Sequence, residues 1–331
     1  MQGRILALDR NEYFCHHHPE VLAALRLAPE NASTYASQQA HSELRQKIAE
    51  LISAPQECVT LGHGGEDLLV KILVWQRRFA SKLVRLDFSW QTYVEIAQGL
   101  DFDVISVPVQ ETGAQFCTPL ERFDALLATL RDRAVVILNS PNNPTGHGVD
   151  AQRVFFLAEA HPNHVFILDG VYDVPRSKHV ETALKLNNVI FVGSFSKFFG
   201  MPGVRVGYAV ATSLPRAFQP ILGLPHFAIE ACSRAIRHHE HYLDNRHQML
   251  SFAGKLFGNP CPSATIFRSD APFVLSRITK GPSNISERIE MLIQEFGVQP
   301  KILTQANETY LRWGLAQPEV NARILSFMEK L

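Results

Sequence analysis

AVVILNSPNNPTG, residues 134–146, starts as an apolar run and ends in Asn, Pro, Thr and Gly. A short apolar run with no polar alternation, bounded by turn formers, reads as a strand covered on both faces. The segment after it is a turn by composition, yet its side chains are also hydrogen-bonding groups. The same shape recurs downstream. HVFILDGVY (164–172) ends its apolar run on Asp169, and NVIFVGSFSK (188–197) ends on Ser194, Ser196 and Lys197. Upstream, SKLVRLDF (81–88) and DFDVISVPV (101–109) read as strands. Helical patterns lie among them at 42–52, 66–79, 91–100, 120–132 and 152–160. Strands alternating with helices predict an α/β fold whose large domain holds a mostly parallel sheet between helices.

Beyond about residue 232 the pattern changes. A long polar helical stretch (233–257) leads to APFVLSRI (271–278), a helix at 286–296, the strand TYLRWGL (309–315) and a last helix from Pro318. This predicts a smaller α+β domain. Chain ends often meet, so the expected division is 25–231 for the large domain, and 1–24 with 232–331 for the small one.

Composition narrows the partners. The 331 residues are 46% hydrophobic and 19% charged, with Lys+Arg and Asp+Glu balanced at 32 each. No global field favours nucleic acid or an anionic membrane, and no apolar run is long enough to span a bilayer. The first residues lack the apolar core of a signal peptide. Five dispersed cysteines without a C-x-x-C pair fit reduced thiols in a cytoplasmic protein. The histidine clusters CHHHP (15–19) and HHEH (238–241) lack the H-E-x-x-H spacing; they read as solvated histidines, and no metal site is expected.

In open α/β sheets ligands bind outside the carboxyl ends of the strands. Three polar strand ends in succession therefore predict one crevice. Lys197 is the unusual member, because an ammonium among apolar residues is costly without a task. The segment GHGGEDLL (62–69) sets a Gly-rich turn before a helix, and free N–H groups at a helix N-terminus suit phosphate. It is not a dinucleotide fingerprint, since Asp67 stands where the third glycine belongs.

Together, NSPNNPTG, DGVY and SFSKFFGMPGVRVGY resemble the fold type I pyridoxal-phosphate enzymes. Within them the chain is most similar to class I/II aminotransferases of the histidinol-phosphate aminotransferase branch. The resemblance runs from NEYF near the start to YLRWG near the end. It implies the cofactor pyridoxal 5′-phosphate, with Lys197 forming a Schiff base to its aldehyde and later shuttling a proton. It implies Asp169 for the pyridine nitrogen, and Asn143 and Tyr172 for the phenolic oxygen. Gly64, Gly65, Glu66, Ser194, Ser196 and Arg205 are implied at the phosphate. Trp90 falls where a stacking tyrosine is usual in the family. Gly65 replaces a serine, and DGVY replaces the family's Asp-Glu-Ala-Tyr.

Tyr35 resembles a tyrosine sent to the cofactor phosphate of a neighbouring subunit, which implies a homodimer. Arg312 matches the arginine that clamps a substrate carboxylate, its fork suiting two-point contact. Asn11 and Lys301 are the further substrate-side candidates. Lys301 stands near where the branch tends to have arginine. The expected partners are a small-molecule amino donor, histidinol phosphate or an aromatic or other amino acid, and a 2-oxo acid acceptor. A decarboxylase of the threonine-phosphate type and a non-catalytic pyridoxal-binding protein are the competing readings.

Overall fold

The computed structural model describes residues 5–12, 16–26, 33–215, 218, 223–258, 261–279 and 285–331. Ala134–Asn139, Val165–Asp169 and Val189–Ser194 lie side by side as parallel strands, and every residue in them is buried. Lys82–Leu86 and Asp103–Val107 extend the parallel sheet on one side. On the other side, Gly207–Val210 runs antiparallel between Val189–Ser194 and Val59–Gly62. Seven strands thus form the main sheet among the described residues.

Alternate side chains of each strand enter different cores, as the strand period of two requires. Val136, Leu138, Phe166, Leu168 and Phe191 join Leu44, Phe123, Val154 and Val180 on one face. Val135, Ile137, Val165, Ile167 and Val192 join Leu68, Ile72, Tyr93 and Ala97 on the other. Helices Gln38–Ile52, Leu120–Thr129, Ala151–Ala160 and Lys178–Lys185 cover the first face; Gly65–Gln76 and Thr92–Gly99 cover the second. Burial on both faces is why these strands are apolar without alternation. Each fully buried aliphatic side chain contributes about 1.5–3 kcal/mol, which makes this double-sided core the rigid base of the site.

The later part of the chain forms an antiparallel sheet in the order Ala264–Ile266, Phe273–Ile278, Glu308–Gly314, Lys301–Gln305. Ala306 and Asn307, both at positive φ (49° and 64°), make the two-residue turn of its last hairpin. The register sets Lys301 directly opposite Arg312. Leu6–Ala7 pairs parallel with Val298–Gln299, and Leu8 packs in the same core as Trp313 and Phe327.

One detail differs from the sequence expectation. The stretch 233–257 is not one helix: His226–Arg237 ends at His238, and His239–Gly258 begins after it. The division expected at 231/232 falls inside the first of these. Val21 and Ala24, from helix Pro19–Arg26, pack in the core of the large sheet with Ala228 and Cys232.

Candidate active site

The carboxyl ends of the parallel strands are level, with Asn139 paired to Asp169 and Asp169 to Val192. Residues just beyond them line a cavity of about 880 Å³. Its lining includes Gly65, Glu66, Trp90, Asn143, Asp169, Tyr172, Ser194, Ser196, Lys197, Arg205, Lys301 and Arg312, so the structure brings most of the sequence-derived candidates together. Gly64 is not among the lining residues but lies against the Arg205 guanidinium, and Asn11 joins the site through hydrogen bonds with Tyr172 and Lys197. Tyr35 is not among the lining residues and is 76% exposed.

One end of the cavity is built for an anion. Val59–Gly62 leads into the N-terminus of helix Gly65–Gln76. A Cβ on Gly64 would lie 2.7 Å from Arg205 Nη2, and one on Gly207 would lie 2.5 Å from the Gly64 carbonyl carbon. Glycine at these two positions lets the guanidinium and the neighbouring strand approach the helix N-terminus. Ser194 Oγ donates to Ser196 Oγ (2.9 Å), and the Ser196 N–H donates back to Ser194 Oγ (3.0 Å). Arg205, at φ 58°, turns its guanidinium back to donate to the Pro202 carbonyl. Unpaired helix N–H groups, two hydroxyls and a cation therefore meet in one place.

Deeper in, Asp169 is 2% exposed. Its Oδ2 accepts from the Tyr93 hydroxyl and its Oδ1 from the Val171 N–H at 3.1 Å. Burial pushes its carboxyl up to about 6, against the pull of those two hydrogen bonds. Asn139 Nδ2 holds the Asp169 carbonyl at 2.8 Å, and Asn139 Oδ1 accepts from the Asn143 N–H at 2.9 Å. This ties the polar turn to the strand ends. Trp90 lines the cavity with its ring edge-on to Tyr93, the centroids 5.3 Å apart at 85°.

On the opposite side, Lys197 Nζ donates to the carbonyls of Arg10 (2.7 Å) and Asn11 (3.0 Å) and lies 5.5 Å from the centre of the Tyr172 ring. The Tyr172 hydroxyl accepts from Asn11 Nδ2 at 3.1 Å and faces Asn143 Nδ2 at 3.5 Å. Arg312 is buried; it donates to Asn143 Oδ1 and to the Asp9 carbonyl, while its Nε has no partner. Burial lowers its guanidinium from its ordinary value. Lys301, exposed at the mouth, is its cross-strand neighbour.

Sequence reasoning missed Tyr93, Asn139 and the backbone of residues 9–11. Tyr93 had a signal: it follows Trp90 by three residues at a helix start, a spacing that faces both rings the same way. The carbonyls of 9–11 had none.

The histidine clusters also depart from expectation. Cys15 lies outside the described residues. His18 stacks on His238 with centroids 3.6 Å apart, so these rings are packed rather than freely solvated. Among the described residues, His18, Glu20 and His238 bring possible ligand atoms within 4.8 Å of one another. Glu20 there is already engaged by Arg234 (3.3 Å) and Arg237 (3.1 Å).

An open α/β sheet with an anion cradle, a buried carboxylate and an amine at its strand ends defines an enzyme that handles a phosphorylated, nitrogen-containing ligand. The sequence model of the family "Aminotransferase class I and II" matches residues 4–257, and the chain belongs to that family. It is an aminotransferase of fold type I, the class whose cofactor is pyridoxal 5′-phosphate.

Among curated relatives, histidinol-phosphate aminotransferase 2 of Archaeoglobus fulgidus is 25% identical over 298 residues, covering 88% of this chain and 83% of that protein. Histidinol-phosphate aminotransferase of Ruegeria pomeroyi is 26% identical over 314 residues, covering 89% and 82% respectively. The crystal structure of histidinol-phosphate aminotransferase from Sinorhizobium meliloti, in complex with pyridoxal-5′-phosphate, superposes with a TM-score of 0.83 at 20% identity, covering 99% of this chain and 90% of that one. L-threonine-O-3-phosphate decarboxylase from Porphyromonas gingivalis shares the fold at a TM-score of 0.74 and 21% identity, covering 98% of both chains. The family match supports transamination over the decarboxylase reading.

Proposed function

We propose that the cavity holds pyridoxal 5′-phosphate and that the chain moves an amino group from an anionic amino donor to a 2-oxo acid. One observation carries this reading: an amine (Lys197), a buried carboxylate (Asp169) and an anion cradle (Ser194, Ser196, Arg205) line one cavity. The donor set fits the cofactor. The cradle suits a phosphate, with two hydroxyls, helix N–H groups and a guanidinium of five donors. Asp169 suits a protonated ring nitrogen, because a buried carboxylate gains most from a charged partner. Asn143 and Tyr172 suit the phenolic oxygen, and Trp90 gives a broad aromatic face for the ring.

When bound, the cofactor supplies an aldehyde that captures amines and an electron-poor ring that weakens the donor's Cα–H bond. The rest falls to this chain's residues. Lys197 would hold the aldehyde end of the bound cofactor, and its amine, once displaced by the donor, would accept the proton from the donor's Cα and give it back as the product forms. Asp169 would pair with the ring nitrogen and favour its protonated form. Arg312 orients the donor through its anionic group, its Nε and fork offering two-point contact. Lys301, opposite Arg312, adds a second cation at the mouth and supports donors with phosphate or a second carboxylate. Histidinol phosphate and aromatic amino acids are the donors to test first.

Lys197→Ala abolishes transamination in the folded protein; substantial turnover in that variant refutes the assignment. A single-turnover absorbance screen across amino donors, each followed by a 2-oxo acid, identifies both halves of the reaction. We also propose a cytoplasmic homodimer in amino-acid biosynthesis, with exposed Tyr35 reaching the partner's cradle. A monomer that stays active at micromolar concentration refutes the shared site. Among the described residues no helix is long and apolar enough to cross a membrane.

A further inference from the structure

We propose that His147 is a positioning residue for Asn143: it ties the turn at 142–147 to Thr118, so that the Asn143 amide keeps its direction in the cavity. This rests on the pyridoxal-phosphate reading above. Asn143 has two tasks at once, its Oδ1 accepting from Arg312 and its Nδ2 facing the Tyr172 hydroxyl. An amide serves both in one orientation only, because its two ends differ in kind. The front of the turn is fixed to the sheet, where the Asn143 N–H donates to Asn139 Oδ1. The back is fixed by His147, which is 2% exposed and does not line the cavity. Its Nδ1 lies 2.7 Å from Thr145 Oγ1, and its Nε2 lies 2.9 Å from Thr118 Oγ1. Thr118 belongs to another part of the chain, just before helix Leu120–Thr129.

The imidazole suits this bridge. Each threonine hydroxyl can donate or accept, so either neutral tautomer leaves both ring nitrogens satisfied. Burial pulls the imidazole down to about 4, so it stays neutral at ordinary pH. Asn142, fully buried, extends the network: its Nδ2 donates to Thr145 Oγ1 (2.6 Å) and to the Phe88 carbonyl (3.0 Å). Main-chain bonds close the turn, from the Asn142 N–H to the His147 carbonyl (2.8 Å) and from the Gly146 N–H to the Asn142 carbonyl (2.7 Å). The other flank rests on Asp270, whose N–H donates to the Gly146 carbonyl (2.8 Å) and whose Oδ2 accepts from the Gly148 N–H (3.1 Å). Without the imidazole, the Thr118 and Thr145 hydroxyls lose a buried partner and the turn resettles. A shift of about 1 Å is enough to spoil aligned contacts in a site. A purely structural brace and a positioning residue differ in one respect: only the second needs the Asn143 side chain.

The test is a double-mutant cycle of His147→Phe and Asn143→Ala, with pyridoxal 5′-phosphate as the probe. Its dissociation constant is read from quenching of tryptophan fluorescence. Phenylalanine keeps a ring at 147 and removes both hydrogen bonds. The expected result is an about three- to tenfold loss of affinity in the native background, and a change within about twofold in Asn143→Ala. Equal losses in both backgrounds mark a structural brace and overturn the proposal, as does no loss in the native one. If His147→Phe does not fold, Thr118→Val removes the same anchor at nearly constant volume, and the same comparison decides. A cofactor analogue with hydrogen in place of the phenolic hydroxyl repeats the comparison without touching Asn143. Its affinity stays within about twofold on His147→Phe, and a loss equal to that of the natural cofactor overturns the proposal. Failure of the wild type to bind pyridoxal 5′-phosphate overturns the cofactor reading itself, and this one with it.

Discussion

Gly65→Ala destabilises this protein, and the same substitution stabilises it once Val171 is trimmed to alanine. Gly65 has no positive φ, so its backbone accepts any L-residue. Only space opposes a side chain there. A Cβ would sit 2.8 Å from Val171 Cγ1, whereas its next neighbours, Val192 Cγ1 at 3.6 Å and Ser194 Cβ at 3.8 Å, are at ordinary contact. Overpacking of this kind costs about 1–3 kcal/mol. Replacing Gly by Ala in a helix returns up to about 1 kcal/mol. The net in the native background is a loss of about 1–2 kcal/mol; in Val171→Ala it is a gain of about 0.5–1 kcal/mol. Urea unfolding of the four proteins, followed by tryptophan fluorescence, gives the coupling energy directly. If Gly65→Ala has the same sign and size in both backgrounds, the contact with Val171 is not what excludes a side chain at 65. The pair also accounts for two departures from the aminotransferase pattern noted in the sequence. Glycine replaces serine at 65 and valine replaces alanine at 171, so bulk has moved from one wall to the other.

Three further outcomes follow from the geometry. The Asp169 carboxyl is raised to about 6 by burial, so ligand-free folded protein holds a proton there that the unfolded chain has released; this costs stability as pH rises from about 4 through 6. Asp169→Asn removes that cost, and its stability relative to wild type improves by about 2 kcal/mol between pH 4 and pH 7 in urea titrations. Ala306 occupies the left-handed region in a two-residue hairpin, so Ala306→Gly stabilises the fold by about 0.5–1 kcal/mol, read as a higher urea midpoint at unchanged slope. Lys301→Ala raises KM about three- to tenfold for donors with a second anionic group and leaves singly charged donors unchanged, as steady-state kinetics over a donor panel will read.

Four of the five parallel strands were legible because both their faces are buried, which writes them as apolar runs closed by turn residues; the edge strand Asp103–Val107, half exposed, was legible from its β-branched residues. Val59–Gly62 and Gly207–Val210 were not, since four residues with glycine at one end carry little pattern. Lys301–Gln305 was missed for another reason. It is an edge strand with exposed residues, and its pairing is set by the turn at 306–307 rather than by apolar content. In the site, groups on strand ends were legible because chemistry and strand termination coincide in the sequence. Tyr93 was not, because its task depends on how helix Thr92–Gly99 settles over a strand far along the chain. The break at His238 was hidden by residues that are all compatible with a helix.

Asp9, Arg10 and Asn11 serve the site mainly through their main chain. Their carbonyl oxygens accept from Arg312 and Lys197. A carbonyl cannot be removed by exchanging a side chain, so these acceptors persist through substitution, although the Asp9 carboxylate also places charge beside Arg312. Asn11 is more constrained, holding a left-handed φ of 50° and donating to Tyr172. What the site reads from this segment is spacing. The count of residues from Leu6, paired to Val298, to Asn11, hydrogen-bonded to Tyr172, fixes which carbonyl meets which cation. A one-residue deletion there would do more damage than several substitutions.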